Sequence, residues 1–240
     1  MKLIKLKNQS MEVTLCDLGA SIYRILFDNR DMVLSPVHED DFLKEDVYYG
    51  KTIGRICGRV IRDQQIILHG GHHGLSNQIF DYVLEDNKVT FTYLSKGDES
   101  SSDGELLIKV TYTLINNELR IDTEIKPNID MKVYLTNHAY FCLGEDSVYN
   151  LSIQLDSDKH VVYDKDLVPI STKENDDYDF SDLTPMMKYG DVDQYFYLNN
   201  NEVLLQSKKY QLEIITDYKG VQVYTDNFDS EVITQLTVYI

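Results

Sequence analysis

Apolar residues recur at every second position in short runs along most of this chain. Glycine, asparagine and aspartate punctuate the runs. That period belongs to half-buried β-strands. Residues 2–7 alternate apolar and charged, and 11–16 (MEVTLC) and 21–27 (SIYRILF) continue in the same style, with Gly19-Ala20 between them and a turn cluster at Asp28-Asn29-Arg30-Asp31. A short strand is predicted at Gln65–Leu68. Further strands are predicted at 88–95, 105–115, 118–126, 131–141, 149–156, 159–163, 195–199, 202–206, 209–216, 220–225 and 232–240. Asn116-Asn117, Asn199-Asn200-Asn201 and Lys219-Gly220 read as turns, and the polar tracts 96–104 and 171–182 as exposed loops. The acidic stretch 37–48 (VHEDDFLKEDVY) reads as a helical turn or a lid-like loop, and no helix longer than two turns is expected. Many short strands at turn-punctuated spacing predict an all-β, antiparallel sandwich or barrel. Without a linker, composition shift or internal repeat, residues 1–240 read as one domain.

Composition narrows the class. The 240 residues are 42% hydrophobic with 18 Tyr, 8 Phe and only 4 Pro, which excludes a disordered chain and allows a sizeable core. A formal charge of −17 repels phosphate backbones, so no nucleic-acid partner is expected. Cys16, Cys57 and Cys142 stand far apart and are odd in number, which argues against a disulfide framework and for the reducing cytoplasm. The N-terminal MKLIKLKNQS lacks a signal-peptide core, and no run of 18 apolar residues exists, so no membrane partner is expected either.

Three stretches carry candidate chemistry. In Thr136-Asn137-His138-Ala139-Tyr140-Phe141, a period of two puts Thr136, His138 and Tyr140 on one face, a polar wall suited to a polyol; the plainer reading is a satisfied, partly buried histidine. Gly50 to Val60 holds three glycines and two arginines, Arg55 and Arg59. The spacing is not that of a phosphate loop, which leaves guanidinium forks aimed at carboxylates or hydroxyls, or a glycine-bearing loop with surface arginines. Leu68-His69-Gly70-Gly71-His72-His73-Gly74 invites a zinc reading, but it lacks cysteine and a helical frame. A loop presenting one functional histidine is the simpler view, with no metal.

Taken in order, LGASIYRI, GRICGR, LHGGHHG, DGELLIKVTYTL, TNHAYFCLG, DVDQYFYL and GVQVYTDNF resemble the aldose 1-epimerases (galactose mutarotases), from about residue 3 to residue 228. The resemblance implies a large antiparallel β-sandwich of the galactose mutarotase-like kind. It also implies interconversion of the α and β anomers of a free hexose, without metal or organic cofactor; the protein is expected to be a monomer or homodimer. In that family a glutamate takes the proton of the anomeric hydroxyl while a histidine protonates the ring oxygen. His138 matches the acid in the family's TNHSYFNL-type strand, and His69 the assisting histidine of its LHGG segment. Arg59 matches the sugar-binding arginine of its ANRI-type segment, and Asp193 the aspartate of its DHNF-type segment.

The chain departs from the family at several points. Gly58 and Cys142 stand where asparagines are usual, and Phe80 where a tryptophan is. At the C-terminus, Val232-Ile233-Thr234-Gln235 aligns with the family's Leu-Glu-x-Gln, so Ile233 occupies the position of the base, and the following Pro-Asp loop is missing. Glu231 lies on the same strand face roughly 6.5 Å away and is the replacement candidate, with the neighbouring Asp229 as an alternative. The rival reading is a non-catalytic carbohydrate-binding or regulatory module that kept the cleft and lost its base. A third, action on a phosphorylated sugar, needs cations such as Arg55, Arg62 or Lys51 at the pocket.

Overall fold

The computed structural model describes residues 1–36, 38–44, 46–100, 104–226 and 235–239. The chain is an all-β, antiparallel sandwich whose helical content among the described residues is one turn at Glu39–Phe42 and three 3-10 turns. It divides into two compact units, residues 1–29 with 35–138, and residues 30–34 with 139–240.

In the first unit, Leu3–Lys7, Met11–Cys16 and Ser21–Phe27 form one meander. Asp81–Glu85, Lys88–Ser95, Leu106–Ile115 and Glu118–Pro127 form another. The alternation read from sequence is the alternation of burial. Leu106, Ile108, Val110, Tyr112 and Leu114 are buried, and Val13, Leu15, Val89 and Phe91 are fully so. A buried phenol ties the two meanders together. The Tyr112 hydroxyl donates to the Ala20 carbonyl at 2.6 Å, 92 residues away in the chain. It accepts from Asn137 Nδ2 at 3.2 Å, and the same amide donates to the Gly50 carbonyl at 2.8 Å.

In the second unit a six-stranded sheet runs Tyr140–Phe141, Gln235–Tyr239, Gly220–Asp226, Asp193–Tyr197, Lys159–Tyr163, Pro169–Glu174. A four-stranded sheet runs Thr184–Pro185, Ser152–Leu155, Glu202–Gln206, Gln211–Ile215. Ile153, Leu205, Phe196, Val221 and Val223 are fully buried, and Phe196 meets Tyr178 and Phe180 edge-on at 5.3 and 5.5 Å between ring centres.

Two expectations need correction. The continuous strand over 131–141 is instead a pair of two-residue strands, Thr136–Asn137 and Tyr140–Phe141, because the chain leaves the first unit after His138. The alternation of faces ends there too, since Ala139, Tyr140 and Phe141 are all buried. The polar tract 171–182 is not all loop. Pro169–Glu174 is an edge strand against Lys159–Tyr163, with every side chain exposed, so its polarity is no obstacle to pairing.

The Tyr112 phenol generates a prediction. Tyr112→Phe keeps the ring but removes one donor from the buried Ala20 carbonyl, which retains the Thr52 hydroxyl at 3.3 Å, so the variant should lose about 0.5–1.5 kcal/mol, the scale of one hydrogen bond. Urea denaturation read as a shift of midpoint at constant slope checks this.

Candidate functional site

A short ladder sets His138. The Gly50 N–H donates to the His138 carbonyl at 2.8 Å, and the His138 N–H donates to the Lys51 carbonyl at 2.9 Å. Thr136 and Asn137 continue the ladder opposite Ile53 and Thr52. Position 50 requires glycine. Its φ is +59°, and an added Cβ would come within 2.0 Å of the Ile22 carbonyl oxygen, which sits that close because the Ile22 N–H donates to the Gly50 carbonyl. His138 is 1% exposed.

His69 arrives from a hairpin, Arg59–Arg62 with Gln65–Leu68, in which Arg59 stands opposite Leu68. The chain then turns sharply, with His69 itself at φ +56°. Gly58 grips the residue twice, since its carbonyl accepts the His69 N–H at 2.9 Å and its N–H donates to His69 Nδ1 at 3.1 Å. With Nδ1 accepting, a neutral His69 carries its proton on Nε2 and presents a donor there. Behind the loop, the Arg55 N–H donates to the Asp98 carboxylate at 2.7 Å and the Glu99 N–H to the Gly70 carbonyl at 3.2 Å.

The two imidazoles meet edge to face with centres 5.5 Å apart. A third ring closes the group. Tyr48 lies 4.8 Å from His69 at a steep angle and 5.4 Å from His138. Burial, with the Arg59 charge adding to it, pushes His69 down to about 3. Burial and then the neighbouring His69 hold His138 well below its ordinary value, against the pull of its own backbone. Both rings are therefore neutral at pH 7.

Of the residues expected from sequence, His69 and His138 are brought together, and the Arg59 charge is felt at His69 and at Tyr48. Asp193 opens the strand Asp193–Tyr197 of the second unit, exposed, with its carboxylate accepting from Gln222 Nε2 at 2.6 Å. Glu231 and Ile233 lie outside the described residues. Tyr48 was missed. It ends the acidic stretch, where no periodicity sets it apart from its neighbour Tyr49.

The surface-arginine reading fails for Arg55, which is wholly buried. Its guanidinium donates to Ser95 Oγ at 3.0 Å, to the Ser95 carbonyl at 2.8 Å and to the Gly104 carbonyl at 2.9 Å. Lys51 is wholly buried as well, and burial pushes its ammonium down to about 8. Neither is placed to greet a phosphate from solvent. In the histidine loop, His73 is exposed and its Nδ1 lies 2.7 Å from the Glu99 carboxylate. Among the described residues, no group of three or more His, Cys, Asp or Glu is arranged to hold a metal ion.

Two neutral imidazoles side by side, one under the charge of a guanidinium, are groups able to exchange hydrogen bonds and protons with a hydroxylated ligand. The aldose 1-epimerase family model matches residues 2–239, and the chain belongs to that family of isomerases. It is 27% identical to human galactose mutarotase and 25% identical to the rat protein, each over 93% of this chain and 77% of the relative. Two solved structures share the fold at 24% identity over 99% of this chain. One is an aldose epimerase homologue from C. elegans (TM-score 0.87, 88% of that chain), the other a galactose 1-epimerase from Lactobacillus acidophilus (TM-score 0.86, 84%).

The buried rings make stability depend on pH with a definite sign. An unfolded histidine takes up a proton near pH 6.5 and folded His69 only near 3, so between these values the unfolded state binds more protons. The contribution is complete above pH 6.5 and is lost as pH falls, by about 1.4 kcal/mol per pH unit for this ring. Urea denaturation at steps from pH 7 to pH 4 should show a shallower slope in His69→Gln than in wild type, by about one proton.

Proposed function

We propose that this chain interconverts the α and β anomers of a free hexose by acid–base ring opening. The observation that carries the reading is the edge-to-face pair of buried imidazoles, His69 and His138, with Arg59 alongside. In this scheme His138 protonates the ring oxygen as the C1–O5 bond breaks, while a carboxylate takes the proton of the anomeric hydroxyl. The C1–C2 bond then rotates, and as the ring closes on the other face of the carbonyl the O5 proton passes back to His138 while the carboxylate returns its proton to the carbonyl oxygen. His69 donates to the sugar from Nε2. Arg59 and Asp193 bind vicinal hydroxyls, the guanidinium donating and the carboxylate accepting.

A buried imidazole that resists protonation is a poor acid by itself. A carboxylate brought into the same site favours its charged form, so the base also equips the acid. We assign that carboxylate to Glu231, two positions before Ile233. We place the protein in the cytoplasm, since Cys16, Cys57 and Cys142 are all free thiols and two of them are buried.

Polarimetry of freshly dissolved α-D-glucose and α-D-galactose tests the reading against the spontaneous rate. His138→Asn should lower the catalysed rate by about 10²-fold or more with the fold retained, the usual scale for a positioned acid. Glu231→Gln should fall as far. Equal rates in wild type and Glu231→Gln, both above background, assign the base to another group. Rates at background in both identify a binding module whose base was lost with the change to Ile233.

A further inference from the structure

Tyr48 is held in place by the residues on either side of it. Upstream, the turn Glu39–Phe42 is pinned by Phe42, which is wholly buried beside Cys16 and Leu18 and meets Tyr23 edge-on at 5.2 Å. Downstream, Lys51 reaches back under the segment. Its ammonium lies 4.9 Å from the centre of the Phe42 ring and 3.5 Å from the Lys44 carbonyl oxygen. The Lys51 N–H donates to the Tyr48 carbonyl at 3.1 Å, and the Lys51 carbonyl accepts the His138 N–H. One buried lysine thus joins the acidic segment, the Tyr48 turn and the His138 ladder.

The Tyr48 ring is half-buried and touches both imidazoles. Burial and the Asp46 charge raise the phenol above its ordinary range while the Arg59 charge lowers it, so the hydroxyl stays protonated and lies within reach of the guanidinium's field. Apart from these interactions it makes no hydrogen bond to the described residues. A tyrosine at such a depth normally uses its apolar body for packing and its hydroxyl for a partner. If packing alone were required, phenylalanine would serve.

We propose that Tyr48 is a further substrate-binding residue: its ring walls the two imidazoles, and its hydroxyl hydrogen-bonds to a hydroxyl of the sugar they receive. The inference rests on the mutarotation reading and adds a contact to it. A hydrogen bond held alike in the bound sugar and in the ring-opening transition state lowers KM and leaves kcat alone.

The test is Tyr48→Phe, with Tyr48→Leu beside it, assayed for α-D-galactose mutarotation by polarimetry and for thermal midpoint. Tyr48→Phe should keep the midpoint and raise KM by about 3- to 10-fold with kcat within about twofold, the scale of one neutral hydrogen bond. Tyr48→Leu, which also removes the wall, should lower kcat too. Kinetics of Tyr48→Phe matching wild type, while His138→Asn is impaired, overturn the role of the hydroxyl and leave the mutarotation reading standing. If wild type shows no turnover, mutarotation is the reading that failed, and titration of D-galactose against the histidine ring protons by NMR decides the contact. Affinity weakened by about 3- to 10-fold in Tyr48→Phe supports it, and equal affinity, or no perturbation in wild type, overturns it.

Discussion

The exchange of backbone hydrogen bonds between Gly50-Lys51 and His138 is the constraint on which the first unit's site depends. Each bond is worth only about 1 kcal/mol net, but a buried backbone group left without a partner costs more, so the register admits little slack. That register places His138 beside the turn that carries Tyr48. Position 50 is forced close to Ile22, where only a residue without a side chain fits. Asn137 doubles the attachment by binding the Gly50 carbonyl, and the Tyr112 phenol ties that amide to the other meander through Ala20. The imidazole is positioned through its backbone by this chain of groups.

Charge at the site differs from charge over the chain. The sequence is acidic by 17 units, yet the groups built into the first unit beside the imidazoles include Arg59, with Arg55 and Lys51 buried in the same segment. Arg59 and the mutual proximity of the rings both oppose protonation, and burial opposes it more strongly. Two imidazoles so close take up protons as a pair, since a charge on one raises the cost of charging the other. The neutral state, with the His69 tautomer fixed by Gly58, favours hydrogen-bond donation to a neutral polyol over binding of an anion.

The strands were legible from the chain because their signal is local. A period of two states which side chains face the core, and Leu106–Ile115 shows that pattern without a break. The turns at Asn116 and Asn201 were legible for a similar reason, since asparagine tolerates the positive φ found at both. Where pairing outweighs side-chain character the local signal fails. Pro169–Glu174 is a fully exposed strand because its neighbour offers an edge, and 131–141 is broken because the chain passes from one unit to the other.

The candidate site divides in the same way. The amino-acid sequence by itself determined the all-β class and singled out His69, His138 and Arg59 through motifs that stand in a recognisable order. It did not determine that the two histidines face each other, because that contact depends on the pairing of Thr136–Asn137 with Thr52–Ile53 and on the turn after Leu68. Nor did it separate Arg55 from Arg59. The two differ in what surrounds them: Arg55 is enclosed by the carbonyls of Ser95 and Gly104, 40 and 49 residues away in the chain, while Arg59 stays partly open with its charge felt at His69. Only the tertiary structure buried Lys51 beneath the Phe42 ring and set Tyr48 against both histidines. Period and composition record how much of each residue is hidden, whereas the identity of its neighbours is decided by long-range register, which no local pattern encodes.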